Sequence, residues 1–408
     1  MPTSVPYGAS IQKKIFNAAL FSEAVRRNSL TNLMTGPAPD AGSNVGKQKG
    51  QTAAGAPIVR ITDLEKSAGD EVTMDLFHQL RQKPVMGDAK IAGKGASLKY
   101  ASFALKIDQG RTMVDSGGKM SQQRTEHQLK ALAKQLLSPY YNRLEDQLCL
   151  IHLAGARGDH IDADWIVPLA SDPDYASIVV NTITPPTYDR HFYGGDATTI
   201  ASIDAADKFS LGSVDKLRLA LDEMAFPLQP VQYPQDQQAE DNPFYVMLVT
   251  PRQWYDFWIS TGGADWRTLQ SNAQVRAASF DHPVFKGDCV MWNNILIKKQ
   301  VRPIRFDVGT AVTVCTNTAD AQTTTSVAAV RVERAMLLGA QALANAYGMA
   351  GSRSRGGYHF TMNDEETDHG NVTETSIAWM NGKAKIRFEG TDGRVNDHGV
   401  MVLDTAVS

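Results

Sequence analysis

Between Ser121 and Leu153 apolar residues return every three or four positions: Leu129, Leu132, Leu136, Tyr140, Leu144, Leu148 and Ile151, interrupted only by Pro139. That spacing predicts one face of a single long α-helix. At 1.5 Å per residue the helix would run about 45 to 50 Å, well past the roughly 30 Å width of a small domain, with a kink where Pro139 removes a backbone donor. A beam of that length predicts a flat or elongated molecule. Leu136 falls on the apolar stripe, so Leu136→Asp is expected to abolish folding.

The chain has 408 residues, enough for two or three domains at about 150 residues each. Its 42% hydrophobic and 21% charged residues exclude the disordered, collagenous and disulfide-rich classes. Lys plus Arg is 41 against 44 acids, a net charge of -3, which lacks the basic footprint of a dedicated nucleic-acid binder. Any DNA nearby is held weakly. Cys149, Cys289 and Cys315 form no CxxC pair and are odd in number, which points away from disulfides and zinc cages and toward a reducing compartment. No signal-peptide core lies between Met1 and Lys14, and the longest uncharged stretch, Ala335 to Gly351, contains Gln341, Asn345 and glycines. The expectation is a soluble chain that does not span a membrane.

Around the beam the pattern alternates between helix and strand. Ile11, Ile15, Ala18, Phe21 and Val25 predict a short helix ending near Leu33, followed by a Gly-, Pro- and Ala-rich arm from Gly36 to Pro57. Period-two alternation over Val72 to Phe77 and Leu98 to Ile107 predicts paired strands. Their connector, Gln82 to Ser97, carries Gly87, Gly93, Gly95, Lys90 and Lys94 and reads as a polar tip reaching away from the body. Ser213 is placed as the cap of a helix with the stripe Val214, Leu217, Leu221 and Met224. Phe244 to Thr250 is a buried strand leading to a helix opened by Pro251, with Trp254 and Trp258 as core. Val327 to Val332 reads as a strand running into a small-residue helix, Ala335 to Tyr347. Thr375 to Met380 and Lys383 to Phe388 flank Asn381-Gly382, a hairpin signal, and Val400 to Leu403 is a final strand.

Chemistry is sparse. Residues 42 to 48, Gly-Ser-Asn-Val-Gly-Lys-Gln, have the glycines of a phosphate loop one residue too close, and Gln48 replaces the magnesium-binding hydroxyl. Asp159, His160, Asp162 and Asp164 have the composition of a divalent-cation site, though a solvated turn is the simpler reading. No GxSxG elbow, HExxH pair or glycine-rich dinucleotide turn is present, which disfavours an enzyme. Trp254, Trp258 and Trp266 can be a stacking surface or core. Arg26-Arg27 and Arg353-Ser354-Arg355 can meet phosphates or form a solvated face. Asn371-Val372-Thr373 is a glycosylation triplet by pattern alone.

Four segments, taken in order, carry a resemblance: Gly69-Asp-Glu-Val-Thr-Met-Asp-Leu76, Gly118-Lys-Met-Ser-Gln-Gln-Arg-Thr125, Leu153-Ala-Gly-Ala-Arg-Gly158, and Arg334 to Gly348. With His282-Pro-Val-Phe-Lys-Gly287, Ile295-Leu-Ile-Lys298 and Asn381-Gly-Lys383, the chain resembles the major capsid proteins of tailed bacteriophages, within them the podovirus subgroup of the N-four kind. The resemblance implies an α+β fold of the Hong Kong-97 type. Its expected parts are an N-terminal helix and arm over 1–60, an extended hairpin loop over 61–112, the spine helix of a peripheral domain over 113–160, an axial domain with parts of the peripheral sheet over 161–348, and strands over 349–408 returning to the peripheral domain.

It further implies a virion protein without enzymatic activity or cofactor, assembled in the host cytoplasm into hexamers and pentamers around double-stranded DNA. The expected partners are a separate scaffold, a portal and decoration proteins. Lys90, Lys94, Arg26 and Arg27 are then the candidate assembly contacts. The fold's type member cross-links lysine to asparagine, a chemistry not assigned to Lys90 or Lys94. An encapsulin-like compartment, and a metal-dependent hydrolase built on Asp159, His160, Asp162 and Asp164, are the alternatives.

Overall fold

The computed structural model describes residues 33–36, 55–61, 70–95, 97–125, 128–162, 164–233, 236, 242–279, 282–327, 329–348 and 360–407. The expected helix from Ile11, most of the arm, the 42–48 loop, Arg26, Arg27, Arg353 and Arg355 lie outside these residues. In chain order the elements are β1 (Ile58–Ile61), β2 (Glu71–Phe77), β3 (Tyr100–Lys106), β4 (Asp108–Gly118), α1 (Lys119–Gln123), α2 (Leu129–Ala154), α3 (Tyr175–Val179), β5 (His191–Tyr193), α4 (Leu211–Glu223), β6 (Tyr245–Val249), α5 (Pro251–Ser260), α6 (Gly263–Ser279), β7 (Cys289–Trp292), β8 (Ile295–Lys299), β9 (Arg305–Phe306), β10 (Ala311–Cys315), β11 (Gln322–Ser326), β12 (Val332–Leu338), β13 (Leu343–Tyr347), β14 (Phe360–Thr367), β15 (Val372–Lys385), β16 (Arg387–Glu389), β17 (Val395–Asp397) and β18 (Val400–Ala406). The class is mixed α+β.

A seven-stranded sheet runs β5-β18-β12-β6-β8-β7, with β9 beside β12. Both of its faces are covered. Val246, Leu248, Met336, Leu338, Val400 and Val402 join one core with Leu148 and Ile151 of α2. The alternate residues Met247, Val249, Ala335, Leu337, Met401 and Leu403 join another with Val214 and Leu217 of α4 and Phe257 of α5. A strand packed on both sides reads as an unbroken apolar run, which is why Phe244 to Thr250 was legible. Helix α5 opens as expected, with Thr250 and Gln253 forming a capping box and Pro251 in the first turn. Helix α4 begins two residues before Ser213, with Ser210 at its N-cap.

The same two-sided burial corrects the small-residue helix. Ala335 to Leu338 belongs to β12 and Leu343 to Tyr347 is β13, joined by a turn in which Gln341 has φ 54°. Alanine's helix propensity yields to tertiary packing here. Strand β13 lies parallel to β1 and antiparallel to β15 in a five-stranded sheet that also holds β14 and β4. The end of the expected arm is therefore anchored. Ala56 and Ile58 are fully buried, and Gln232 N donates to Gly55 O at 2.9 Å.

Asn381-Gly382 is likewise not a turn. Both residues lie within β15, paired with Tyr347 and Ala346. A Cβ on Gly382 would stand 1.9 Å from Lys106 O, so glycine is there to let two backbones approach. The turn that joins β14 to β15 is Asp368-His369-Gly370, with φ of 52°, 54° and 81°.

The beam is divided. Helix α1 stops after Gln123, and α2 takes over at Leu129 and runs 26 residues to Ala154 with Pro139 inside, about 39 Å at 1.5 Å per residue. Gly155 closes it in the left-handed conformation with φ 66°. From Leu144 to Ala154 every residue is buried, but the first half buries only Ala133 and Leu137. Leu136 is 53% exposed. The expected collapse of Leu136→Asp is thereby withdrawn: that variant is expected to unfold within ~0.5 kcal/mol of the parent. Leu137→Ala, at a 2% exposed site, is expected to cost about 2 to 5 kcal/mol in denaturant titrations. Equal effects of the two would place the buried face wrongly.

Candidate assembly interface

Strands β2 and β3 pair antiparallel along their whole length, from Glu71 opposite Lys106 to Phe77 opposite Tyr100. One side of the hairpin root is apolar. Val72, Met74, Leu76, Ala101 and Phe103 pack on the small core of Leu105, Ile107, Ile386 and Phe388, with the Phe103 and Phe388 rings 6.4 Å apart edge to face. Beyond Phe77 the described part of 78–99 forms no helix or strand. Turns at Gly87 and Gly93 use φ of 62° and 81°.

This connector exposes large apolar side chains: Leu80 at 63%, Met86 at 77%, Ile91 at 74% and Leu98 at 67%. Large apolar side chains exposed along one connector make it a candidate interaction surface. Lys90 and Lys94 sit on it, both exposed. Arg81, at its base, stacks on the Phe226 ring at 4.5 Å.

The other sequence candidates do not converge. His160 Nε2 meets Asp162 at 3.1 Å, while its Nδ1 meets Arg305 Nη1 at 3.1 Å. Asp159 accepts from the Thr310 hydroxyl, and Asp164 faces Arg143 at 3.5 Å and Arg302 at 3.2 Å. The acids are thus spread over separate partners, two of them arginines, while a third arginine, Arg305, meets His160. Among the described residues no group of three His, Cys, Asp or Glu side chains is placed to hold a metal. Trp254 and Trp266 pack edge to face at 5.4 Å. Trp258 is not core: it is 53% exposed beside Tyr255 and Ile259 on the outer side of α5. No helix among the described residues is long and apolar enough to cross a membrane.

The sequence reading missed the ionic core. Arg334, fully buried, donates from Nε and Nη2 to Asp404 at 2.7 Å each and from Nη1 to Ala154 O at 2.8 Å. It thereby clamps β12, β18 and the end of α2. His191 joins at 2.7 Å from Asp404. Burial opposes charge on Asp404, but Arg334 and His191 outweigh it and hold the carboxyl well below its usual range. Lys383 and Lys385 alternate with Ala384 and Ile386 along β15 and its end. Both are buried, Lys383 on Glu145 at 2.9 Å and Lys385 on Asp397 at 2.7 Å. Their isolated signal in the sequence is nil, because Glu145 lies 238 residues from Lys383, and Asp397 is brought to Lys385 only by the turn of the chain beyond β16.

His152 adds a pH dependence. It is 3% exposed, and burial, together with the Lys383 and Lys385 charges, lowers its pKa to about 3. The unfolded chain protonates this ring below about 6.5 while the folded one does not. Its contribution is therefore full above pH 6.5 and is lost as pH falls toward 3, by at most about 1.4 kcal/mol per unit. Unfolding titrations at pH 7 and 4.5 should show a smaller acid loss in His152→Gln than in the parent. An identical loss would remove His152 as a cause.

The phage capsid protein family matches residues 4–408. The chain belongs to that family. Among solved structures, the capsid of Ralstonia phage GP4 is 27% identical over 100% of this chain and 99% of that one, with TM-score 0.75. The Cyanophage Pam1 capsid is 19% identical, covering 100% and 99%, at TM-score 0.64. The acidic stable capsid of Helicobacter pylori bacteriophage KHP30 is 13% identical, covering 97% and 95%, at 0.61. No curated protein matches. The role of this capsid protein is structural, and the surfaces that matter are those that meet further copies.

Proposed function

We propose that this capsid protein is the major subunit of an icosahedral shell, in which hexamers and pentamers enclose double-stranded DNA. The observation that carries the reading is the β2–β3 hairpin, whose 78–99 connector displays Leu80, Met86, Ile91 and Leu98 to solvent. Such surface gains stability only when a neighbour covers it. The fold is of the Hong Kong-97 type, of the podovirus subgroup of the N-four kind. In it β2–β3 is the extended loop and α2 the spine. The five-stranded sheet belongs to the peripheral domain, and the seven-stranded sheet with α4 to α6 to the axial domain.

Net charge of -3 suits a wall that contains DNA rather than gripping it, since phosphate contacts would make shell integrity salt-sensitive. A separate scaffold, a portal and decoration proteins complete the assembly, in the host cytoplasm. The protein performs no catalysis. The test is electron microscopy of particles purified from the native source, with nucleic-acid absorbance on the same fraction. Closed icosahedral shells with DNA are expected. Shells filled with protein instead would favour an encapsulin-like compartment, and small oligomers lacking shells even with scaffold present would overturn the reading.

A further inference from the structure

Just beyond α3 the backbone is held where its own side chain resists it. Val180 has φ 65° and ψ −64°, and among the described non-glycine residues with positive φ it alone is β-branched. Such a conformation is strained and persists only where the surroundings over-determine it. They do so on both sides. Asn181 N donates to Val179 O at 2.8 Å, closing a three-residue turn around Val180. Val179 is 4% exposed, and its carbonyl also accepts from the His152 ring of α2. Downstream, Pro185 O accepts from Lys385 Nζ at 3.2 Å, and a Cβ on Gly155 at the end of α2 would stand 2.5 Å from Thr184 O.

The turn aims one side chain. Lys106 N donates to Asn181 Oδ1 at 2.9 Å, and Asn181 Nδ2 donates to Lys106 O at 2.8 Å. Leu105 is paired with Val72, and Ile107 N donates to Asp70 O at 2.8 Å, so the alternation of an antiparallel ladder turns the N–H and C=O of Lys106 away from β2. The Asn181 amide, with a donor and an acceptor side by side, takes the place of a third strand there. Lys106 is the last residue of β3, at the root of a sheet of two strands, and two strands alone are marginally stable.

We propose that Val180 and Asn181 form a strained latch on the hairpin root, which fixes the angle at which β2–β3 leaves the body of a single subunit. Closed, the Asn181 amide completes the edge of β3 and Val180 carries the strain. Open, Val180 relaxes to negative φ, the two hydrogen bonds pass to water, and the hairpin pivots about Ile107. Strain in the turn opposes the hydrogen bonds that it makes possible, so a change at either residue shifts the balance between the two states. The inference concerns the unassembled chain and does not rest on the shell reading.

Spin labels on Asp75→Cys in β2 and Gln274→Cys in α6, both exposed positions, test it in the unassembled full-length chain, because Cys149, Cys289 and Cys315 are buried. A narrow distribution of label-to-label distances is expected. Asn181→Ala should broaden it and speed hydrogen exchange over 100–106 by about tenfold, the factor that the loss of one or two hydrogen bonds supplies, with the global unfolding midpoint held. Val180→Gly, which removes the Cβ that resists positive φ, should keep the narrow distribution and slow that exchange about two- to fivefold. Asn181→Asp keeps the acceptor for Lys106 N and loses the donor to Lys106 O, so it is read in the same way if Asn181→Ala fails to fold. An unchanged distribution and exchange rate in the folded Asn181 variant would overturn the latch, and faster exchange in Val180→Gly would overturn the role of strain in it.

Discussion

Deletion of residues 82–97 is expected to leave a folded, soluble capsid subunit that builds no shells. The strands of the hairpin would survive, because their pairing ends at Phe77 opposite Tyr100 and His78 N still reaches Lys99 O, at 3.0 Å in the parent. Gln79, Leu80, Arg81 and Leu98 would then span the gap, a four-residue connection that hairpins commonly use. Arg81 keeps its place over Phe226. The described residues removed are exposed apart from half-buried Val85, so unfolding midpoints should hold within ~0.5 kcal/mol of the parent. Only the surface offered to a neighbour is lost. Sedimentation and electron microscopy with scaffold present read the result, and shells of normal size from the deleted chain would remove the connector from assembly.

The second large effect lies in the ionic core. Arg334→Ala would leave Asp404 buried and without its bidentate partner, and would free Ala154 O at the end of α2. Breaking one partner of such a pair costs about 3 to 5 kcal/mol, whereas exchanging both for apolar residues of similar volume is often neutral. The expected order in denaturant titrations is parent, then Arg334→Met with Asp404→Leu, then Arg334→Ala as the least stable. His191 and the Ala154 carbonyl would still need water or a repacked neighbour in the double variant, which keeps it below the parent. If Arg334→Ala unfolded within 1 kcal/mol of the parent, the clamp on α2 would be incidental. The two variants separate assembly from folding, since the deletion touches only surface and Arg334 only the interior.

The elements legible in the sequence were those whose burial pattern is local. The helix period through Leu144, Leu148 and Ile151 marks the half of α2 that is buried all round, and the run Phe244 to Thr250 marks a strand covered on both faces. Alternation across Val72 to Phe77, with glycines and lysines beyond it, outlined the hairpin and its connector. Those features place an α+β chain with a long helix and a projecting loop. Asn381-Gly382 misled because the same dipeptide serves a tight turn or a close backbone approach, and only Lys106 lying against it selects the second.

Ala335 to Tyr347 misled for a related reason. A stretch of small and apolar residues fits a helix or two buried strands equally well, and the choice falls to β6, β18 and β1, which are distant in sequence. The position of Leu136 on solvent and of Leu137 in the core follows from what packs on α2. The pairs Arg334 with Asp404 and Lys383 with Glu145 depend on contacts between distant segments, and that of Lys385 with Asp397 on how the chain folds back within twelve residues. By itself the sequence determined which segments are helix-like, strand-like or open, because that information is carried by neighbours within a few residues. Only the tertiary structure decided which charges are buried and paired and which stay exposed for another copy, because desolvation is a property of the packed whole.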